Sequence, residues 1–229
     1  MDGAEQAGTS RHTYKEGSVI MRIINPSIQI LDELNGQEIL KRIELCGRVC
    51  YKSEHRITPQ SAEAFVANLI KRGHESVLEH VSFSVKFICD RGISHEIVRH
   101  RLASYSQEST RYCNYSKDGF GNEITVIEPS YLDKESRSYH MWVRACETAE
   151  KHYFWMLECG CTPQEARAVL PNSLKTELIM TANVREWRHF LKLRTSSAAH
   201  PQMREVAGML HDELRQMVPV LFDDIKGVH

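Results

Sequence analysis

The sequence predicts a single domain that mixes α-helices with β-strands. Val81, Phe83, Val85, Phe87 and Cys89 alternate with Ser82, Ser84 and Lys86, the period-two pattern of a strand with one buried face. Other segments place apolar residues at helical spacing behind capping signals. No repeat, low-complexity tract or obvious linker divides the chain.

In chain order, residues 1–18 are polar and without periodicity, a head to be set apart from the domain at 19–225. Two short apolar runs around Pro26, within 19–33, suit β segments at the start of a sheet. Ile39, Ile43, Leu45, Cys46 and Val49 mark one face of a helix over 36–51. Thr58 and Pro59 open a second helix that Gly73 ends, since proline at the first helical position loses no hydrogen bond. After the alternating strand, residues 92–105 read as a helix of mixed polarity, and 123–127 as a short strand behind a Gly-rich turn. A long helix over 134–158 closes at Gly160. Thr162, Pro163 and Glu165 form a capping box for a short helix that reaches Pro171. Leu174, Thr176, Leu178 and Met180 suggest another strand, and Asn183 with Glu186 caps a helix that runs to Arg194. Residues 201–221 are amphipathic.

Composition excludes some functions. The 29 basic and 30 acidic side chains nearly cancel, so no general positive field draws in nucleic acid, and an anionic ligand must be held locally. No stretch reaches the roughly 20 apolar residues of a membrane span, and the first twenty residues lack a secretory segment, so a cytoplasmic protein is expected. Seven cysteines, an odd number, suit reduced thiols. Cys159 and Cys161 are open to two readings, metal ligands or inert thiols at a helix end.

The chemistry concentrates in residues 90–112, where Arg99, His100, Arg101 and Arg111 lie among Ser104, Ser106, Gln107 and Ser109. Planar guanidinium forks match phosphate, and hydroxyls complete such a shell. The competing reading is a solvated basic helix face. His95 and His100 are five apart, about 140° around a helix, and His74 and His80 are six apart, so no metal site is expected from either pair. Neither a G-x-G-x-x-G nor a G-x-x-x-x-G-K-[ST] loop is present, which leaves no Rossmann-type cofactor domain. In the second cluster, Asn183 to Arg194, Arg185 and His189 share one helical face.

Arg99-His100-Arg101, seven residues, then Ser109 resembles the R-H-R-x7-S signature of the flavin-dependent thymidylate synthases. Gly73 to His80 is similar to that family's G-H-x-S/T-x-x-E-H segment, Ala166 to Pro171 to its A-R-x-x-L-P, and Asn183 to Arg194 to its N-x-R…L-R, all in the family's order. The resemblance spans roughly residues 20–220. It implies an α+β fold with helices packed on a mainly antiparallel sheet, and a homotetramer with active sites shared between subunits. FAD, NADPH as reductant, dUMP and 5,10-methylenetetrahydrofolate are the implied cofactors and substrates.

Position by position, the resemblance assigns FAD to Ser76, Arg99, His100, Arg101, Gln107, Asn183, Val184, Arg185 and His189. It assigns dUMP to Glu96, Ile97, Val98, Arg99, Gln107, Glu108, Ser109, Thr110, Arg111, Arg167 and Arg194, and places His74, Glu79 and His200 along the flavin or folate side. Glu96 stands where many members carry Gln, and Gln107 where some carry Glu. Arg194 takes the catalytic position, at the pyrimidine edge, where its charge favours an ionised ring. Ser109 has no evident base to activate it and is a dUMP ligand rather than a nucleophile. Two rivals are a nucleic-acid-binding module built on the arginines and a catalytically dead relative that keeps the fold.

Overall fold

A computed structural model describes residues 21–116 and 122–227. The head over 1–18 and most of the Gly-rich turn before residue 123 therefore lie outside the described residues. The centre is an antiparallel four-stranded sheet in the order β2 (Ser27–Ile30), β3 (Ser82–Asp90), β6 (Lys175–Asn183), β4 (Ala103–Gln107). β1 (Arg22–Ile24) and β5 (Thr125–Ile127) make a separate parallel pair. The fold is α+β with a mainly antiparallel sheet, as the resemblance implies.

Alternation decides which face of the sheet is covered. Phe83, Val85, Phe87 and Cys89 of β3 and Leu178, Met180 and Ala182 of β6 point into one apolar core. The opposite face is polar: Ser84 and Thr181 share a hydrogen bond of 2.9 Å, and Lys86 pairs with Glu177 across the strands. Helices α1 (Gly36–Val49), α2 (Ser61–Lys71), α6 (Val184–Arg194) and α7 (Pro201–Met217) pack on the apolar side. Trp187 of α6 stacks on Phe83 with ring centroids 5.2 Å apart and meets Phe190 edge-on. Truncating a buried aromatic of this kind to Ala costs about 3–5 kcal/mol. A second core, with Met21, Tyr115, Ile124, Tyr153 and Leu174, sits between the β1–β5 pair and the long α4 (Arg137–Glu158).

Several elements depart from the sequence reading. The expected helix over 92–105 is two elements: α3 (Arg91–Ile97) and β4. In β4, Ala103, Tyr105 and Gln107 turn inward while Ser104 and Ser106 are exposed, a polar period-two pattern that a hydrophobic criterion does not register. Helix α2 starts at Ser61 rather than Thr58, because the Ser61 hydroxyl closes a turn on Thr58 N and O. Helix α4 starts at Arg137, where Ser136 accepts a hydrogen bond from Tyr139 N and acts as the cap. The helix after Thr162 is α5 (Pro163–Ala166) followed by a 3-10 turn over Arg167–Val169. Pro219, which has no N–H, separates α7 from α8 (Pro219–Phe222). Gly73, with φ of 69°, ends α2 as expected. All seven cysteines are free thiols, and no described helix is long and apolar enough to cross a membrane.

Arg188 ties the end of the chain to the core. Its side chain is 1% exposed; it forms two 2.7 Å bonds to the Asp224 carboxylate. It also donates to Leu221 O and, at 3.3 and 3.4 Å, to Glu75. Burial alone would raise the Asp224 carboxyl, but Arg188 holds it below its ordinary range. Asp224→Ala should destabilise the protein by about 1–2 kcal/mol, because the buried Arg188 loses its closer, partly exposed carboxylate partner but keeps Glu75 and Leu221 O, read as a lower denaturant midpoint at neutral pH. A depressed carboxyl stabilises above its unfolded pKa and loses that contribution as pH falls. The gap between variant and wild type should therefore narrow in acid.

Candidate active site

Two residues that end strands also start helices, and this positions the site. Asp90 closes β3 and accepts from Ile93 N at 2.6 Å, which starts α3. Asn183 closes β6 and accepts from Glu186 N at 2.9 Å, which starts α6. In the antiparallel register Asp90 lies opposite Lys175 and Ser82 opposite Asn183, so the two helices leave from opposite ends of one strand pair. β4 begins at Ala103 opposite Ala182. The chain from α3 to β4 must therefore run back along the sheet, and it brings Glu96 to Arg194 at the end of α6 and His100 to Glu186 near its start.

A hydrogen-bonded chain forms where they meet. His100 Nδ1 lies 3.0 Å from Glu186 Oε1, and its Nε2 lies 3.1 Å from Arg194 Nε. An arginine Nε–H only donates, so His100 Nε2 is the acceptor and the ring proton sits on Nδ1, facing the carboxylate. Burial lowers the His100 pKa against the opposing pull of Glu186, consistent with this neutral form. Arg194 also donates from Nη1 to Glu96 Oε2 and from Nη2 to Glu96 O, each at 2.9 Å. Three of its five N–H groups are fixed, and one remains on each terminal nitrogen. The outcome is a half-buried guanidinium held in place with two donors left over.

A second group surrounds the end of β4. Gln107 Nε2 donates to Ser94 Oγ at 2.8 Å and Thr176 Oγ1 at 3.2 Å. Glu108 accepts from Lys175 at 3.0 Å and from Tyr115 at 3.3 Å. Burial would discharge Lys175, but Glu177 and Glu108 hold its pKa above the ordinary value. Arg167 donates to the buried Thr110 hydroxyl at 3.2 Å, and Ser109 accepts from Arg111 N at 3.3 Å. A cleft of about 440 Å³ opens beside Ser106, Gln107, Glu108 and Lys175.

The remaining cations are exposed. Arg99, Arg101 and Arg111 form no ion pair with any described residue, although Arg111 lies over the Tyr112 ring. Such free guanidinium groups fit an anionic ligand. A further cleft of about 690 Å³, within the roughly 300–1,000 Å³ typical of small-molecule sites, is lined by Asn183, Arg185, His189, Glu79 and Leu102. Arg185 pairs with Glu79 at 2.6 Å there. Asn183 has its carbonyl engaged in the helix cap, which leaves its amide N–H groups for a ligand.

The structure thus brings Glu96, His100 and Arg194 together and joins Thr110 to Arg167, while Asn183, Arg185, His189 and Glu79 share one cleft. Ile97 is buried, Val98 caps α3, Val184 is buried at the start of α6 and Ser76 is exposed on a 3-10 turn. His74 lines a different cavity, with Arg48, Lys52, Arg56 and Arg72. His200 caps α7 and packs edge-on against Tyr131, and it lines neither of these two clefts. Sequence reasoning missed the role of Glu186, which the capping pattern had already explained. Its carboxylate instead meets His100, a partner 86 residues away that no local pattern reveals. His100, Glu186 and His189 offer ligand atoms within 4.8 Å of one another. Both nitrogens of His100 are already engaged, so the cluster is a hydrogen-bonded chain rather than a set of free ligands.

The chain is similar to known proteins in sequence and fold. The thymidylate synthase complementing protein family matches residues 30–220. A flavin-dependent thymidylate synthase of Geobacter sulfurreducens is 33% identical over 189 residues, 80% of each chain. One from Pyrococcus horikoshii is 33% identical over 170 residues, 72% of this chain and 69% of the relative. Among solved structures, the UMP/dUMP methylase PolB of Streptomyces cacaoi, bound with 5-Br dUMP, superposes with a TM-score of 0.71 at 25% identity, covering 89% of this chain and 96% of that one. With most of its length matched by the family and by relatives at this identity, the chain belongs to the thymidylate synthase complementing protein family.

Proposed function

We propose that this protein methylates dUMP to dTMP, with 5,10-methylenetetrahydrofolate as carbon donor and FAD, reduced by NADPH, as hydride source. The observation that carries the reading is the Arg194 fork, anchored by three hydrogen bonds with two donors left over. Methylation at C5 of uracil needs an electron-rich ring, and a fixed guanidinium favours the anionic ring without acting as a base. Reduced flavin supplies the hydride that completes the methyl group.

The chain's other residues fit binding roles. Exposed Arg99, Arg101 and Arg111 suit phosphate groups, and the Asn183 amide with Arg185 and His189 suits a polar cofactor in the larger cleft. Thr110 and Gln107 are already hydrogen-bonded, to Arg167 and to Ser94, so the segment that would bind dUMP is ordered in advance. The FAD assignments Ser76, Arg99, Arg101, Arg185 and His189 are all surface residues of one chain, which suits sites completed by neighbours in a homotetramer. We place the synthase domain at residues 19–225 and the protein in the cytoplasm.

Cofactor-stripped protein should gain roughly 2.7 kcal/mol of stability at an FAD concentration about a hundred times the dissociation constant. A thermal melt indifferent to FAD would count against the flavin reading. In the protein reloaded with FAD, labelled dUMP with 5,10-methylenetetrahydrofolate and NADPH should give dTMP, with UMP run in parallel because the Streptomyces relative is a UMP/dUMP methylase.

Arg194→Ala should lose on the order of a hundred- to a thousand-fold in turnover at saturating dUMP, while FAD content and NADPH oxidation persist. Arg194→Lys should recover little, since a point charge does not reproduce the planar guanidinium fork. Near-normal turnover of the alanine variant would reduce Arg194 to a binding residue.

Arg99→Ala and Arg101→Ala remove exposed, unpaired side chains, so stability should change by no more than about 0.5 kcal/mol. Flavin or dUMP binding, measured by titration calorimetry, should weaken in both. Unchanged affinities would return the pair to a solvated face.

A further inference from the structure

We infer that His100 is a positioning residue: Glu186 fixes its tautomer so that its Nε2 lone pair holds Arg194 by the Nε–H. The inference rests on the proposed role of Arg194 at the pyrimidine.

His100 has no polar atom left for a ligand. Nδ1 faces Glu186 and Nε2 faces Arg194. Its backbone N–H donates to Ile97 O, and its carbonyl accepts from the Tyr105 hydroxyl at 2.5 Å. The side chain is 3% exposed and its ring packs edge-on against Phe190, with centroids 5.0 Å apart. Direct hydrogen bonding of this side chain to FAD, which the family resemblance suggests, has no atom to use. The arrangement instead explains why a histidine stands between two arginines that face solvent.

The chemistry of the link depends on the tautomer. With the proton on Nδ1, the ring donates to Glu186 and accepts from Arg194. With the proton moved to Nε2, two N–H groups would confront each other and the Arg194 link would be lost. A doubly protonated ring adds charge repulsion to that clash. The ionisable groups around the ring are Glu186, His189 and Arg194 from α6, Tyr105 from β4, and Glu96 of α3 through Arg194. Glu186 is the group whose charge selects the productive form, and burial keeps the ring neutral at neutral pH.

Glu186→Gln tests this, because it keeps the shape of the side chain and the cap at Asn183 N-terminal to it. Its amide can donate to Nδ1 and so admit the wrong tautomer. The proposal expects kcat for dTMP formation to fall about tenfold to a hundredfold, the range for a partner that orients a functional group. The KM for dUMP, measured with FAD saturating because Glu186 also lines the cleft beside Asn183 and His189, should stay within a factor of about three, well below the tenfold that 1.4 kcal/mol would produce. In wild type kcat should decline in acid as His100 protonates, and in the variant this limb should move to lower pH, since the carboxylate that favours the imidazolium is gone. The second measurement needs no turnover: 15N NMR of the histidine rings should show His100 protonated on Nδ1 and bare on Nε2 in wild type, and a different tautomer balance in Glu186→Gln.

An unchanged kcat and an unmoved acid limb in a folded variant would overturn the positioning role. So would a wild-type spectrum with the His100 proton on Nε2. Should Glu186→Gln fail to fold, the wild-type NMR tautomer decides alone. If wild type makes no dTMP yet His100 carries its proton on Nδ1, the functional reading fails while the tautomer assignment stands.

Discussion

The antiparallel pairing of β3 with β6 is the constraint on which the rest depends. Nine residue pairs from Ser82↔Asn183 to Asp90↔Lys175 fix the register. A slip of one residue would turn Phe83, Val85 and Phe87 to the polar face and bring Lys86 inside. The same slip would move Asp90 and Asn183, the strand ends that cap α3 and α6. The site is assembled from these two helices, so the hydrophobic alternation that forms the core also sets the distance from Glu96 to Arg194. Core and site are therefore one problem in register.

Charge at the site is divided by burial. Arg188 and Arg194 lie on the same helix, six residues apart, yet they meet opposite conditions. Arg188 is fully enclosed and neutralised by Asp224 and Glu75, which leaves it no spare capacity and makes it a structural tie. Arg194 has one carboxylate partner and one neutral partner. A neutral imidazole orients the guanidinium without cancelling its charge, which a second carboxylate would do. The positive field at the two remaining donors is thereby kept for an incoming anion.

Much of the fold was legible in the sequence because its signals are local. The alternation of β3, the Asn183 cap and the proline and glycine stops each require only a few consecutive residues. The segment 92–105 failed that reading because β4 is an edge strand whose outward positions are serines and whose inward ones include Gln107, so its periodicity carries little hydrophobic contrast. The motif residues of the site were legible through family resemblance. What joined them was not: Glu186 matched a capping pattern with Asn183, and nothing near it in sequence pointed to His100. Contacts between residues 86 or 94 positions apart depend on sheet register, which the chain specifies only collectively.

This distinction bears on how motif residues acquire roles. Arg99, His100 and Arg101 are consecutive, but the turn after α3 sends the two arginines to solvent and the histidine into the core. Consecutive residues that point in different directions do different work. The arginines offer charge to whatever approaches the surface. The histidine passes the orientation set by Glu186 to an arginine from another element, and so couples the helix start at Asn183 to the helix end at Arg194, the two ends proposed above to face the flavin and the pyrimidine. Because α6 spans both ends in eleven residues, a rigid helix with the His100 chain bridging its Glu186 and Arg194 turns keeps the two ends in fixed relation. A hydride transfer between molecules bound at those ends would require that fixed relation.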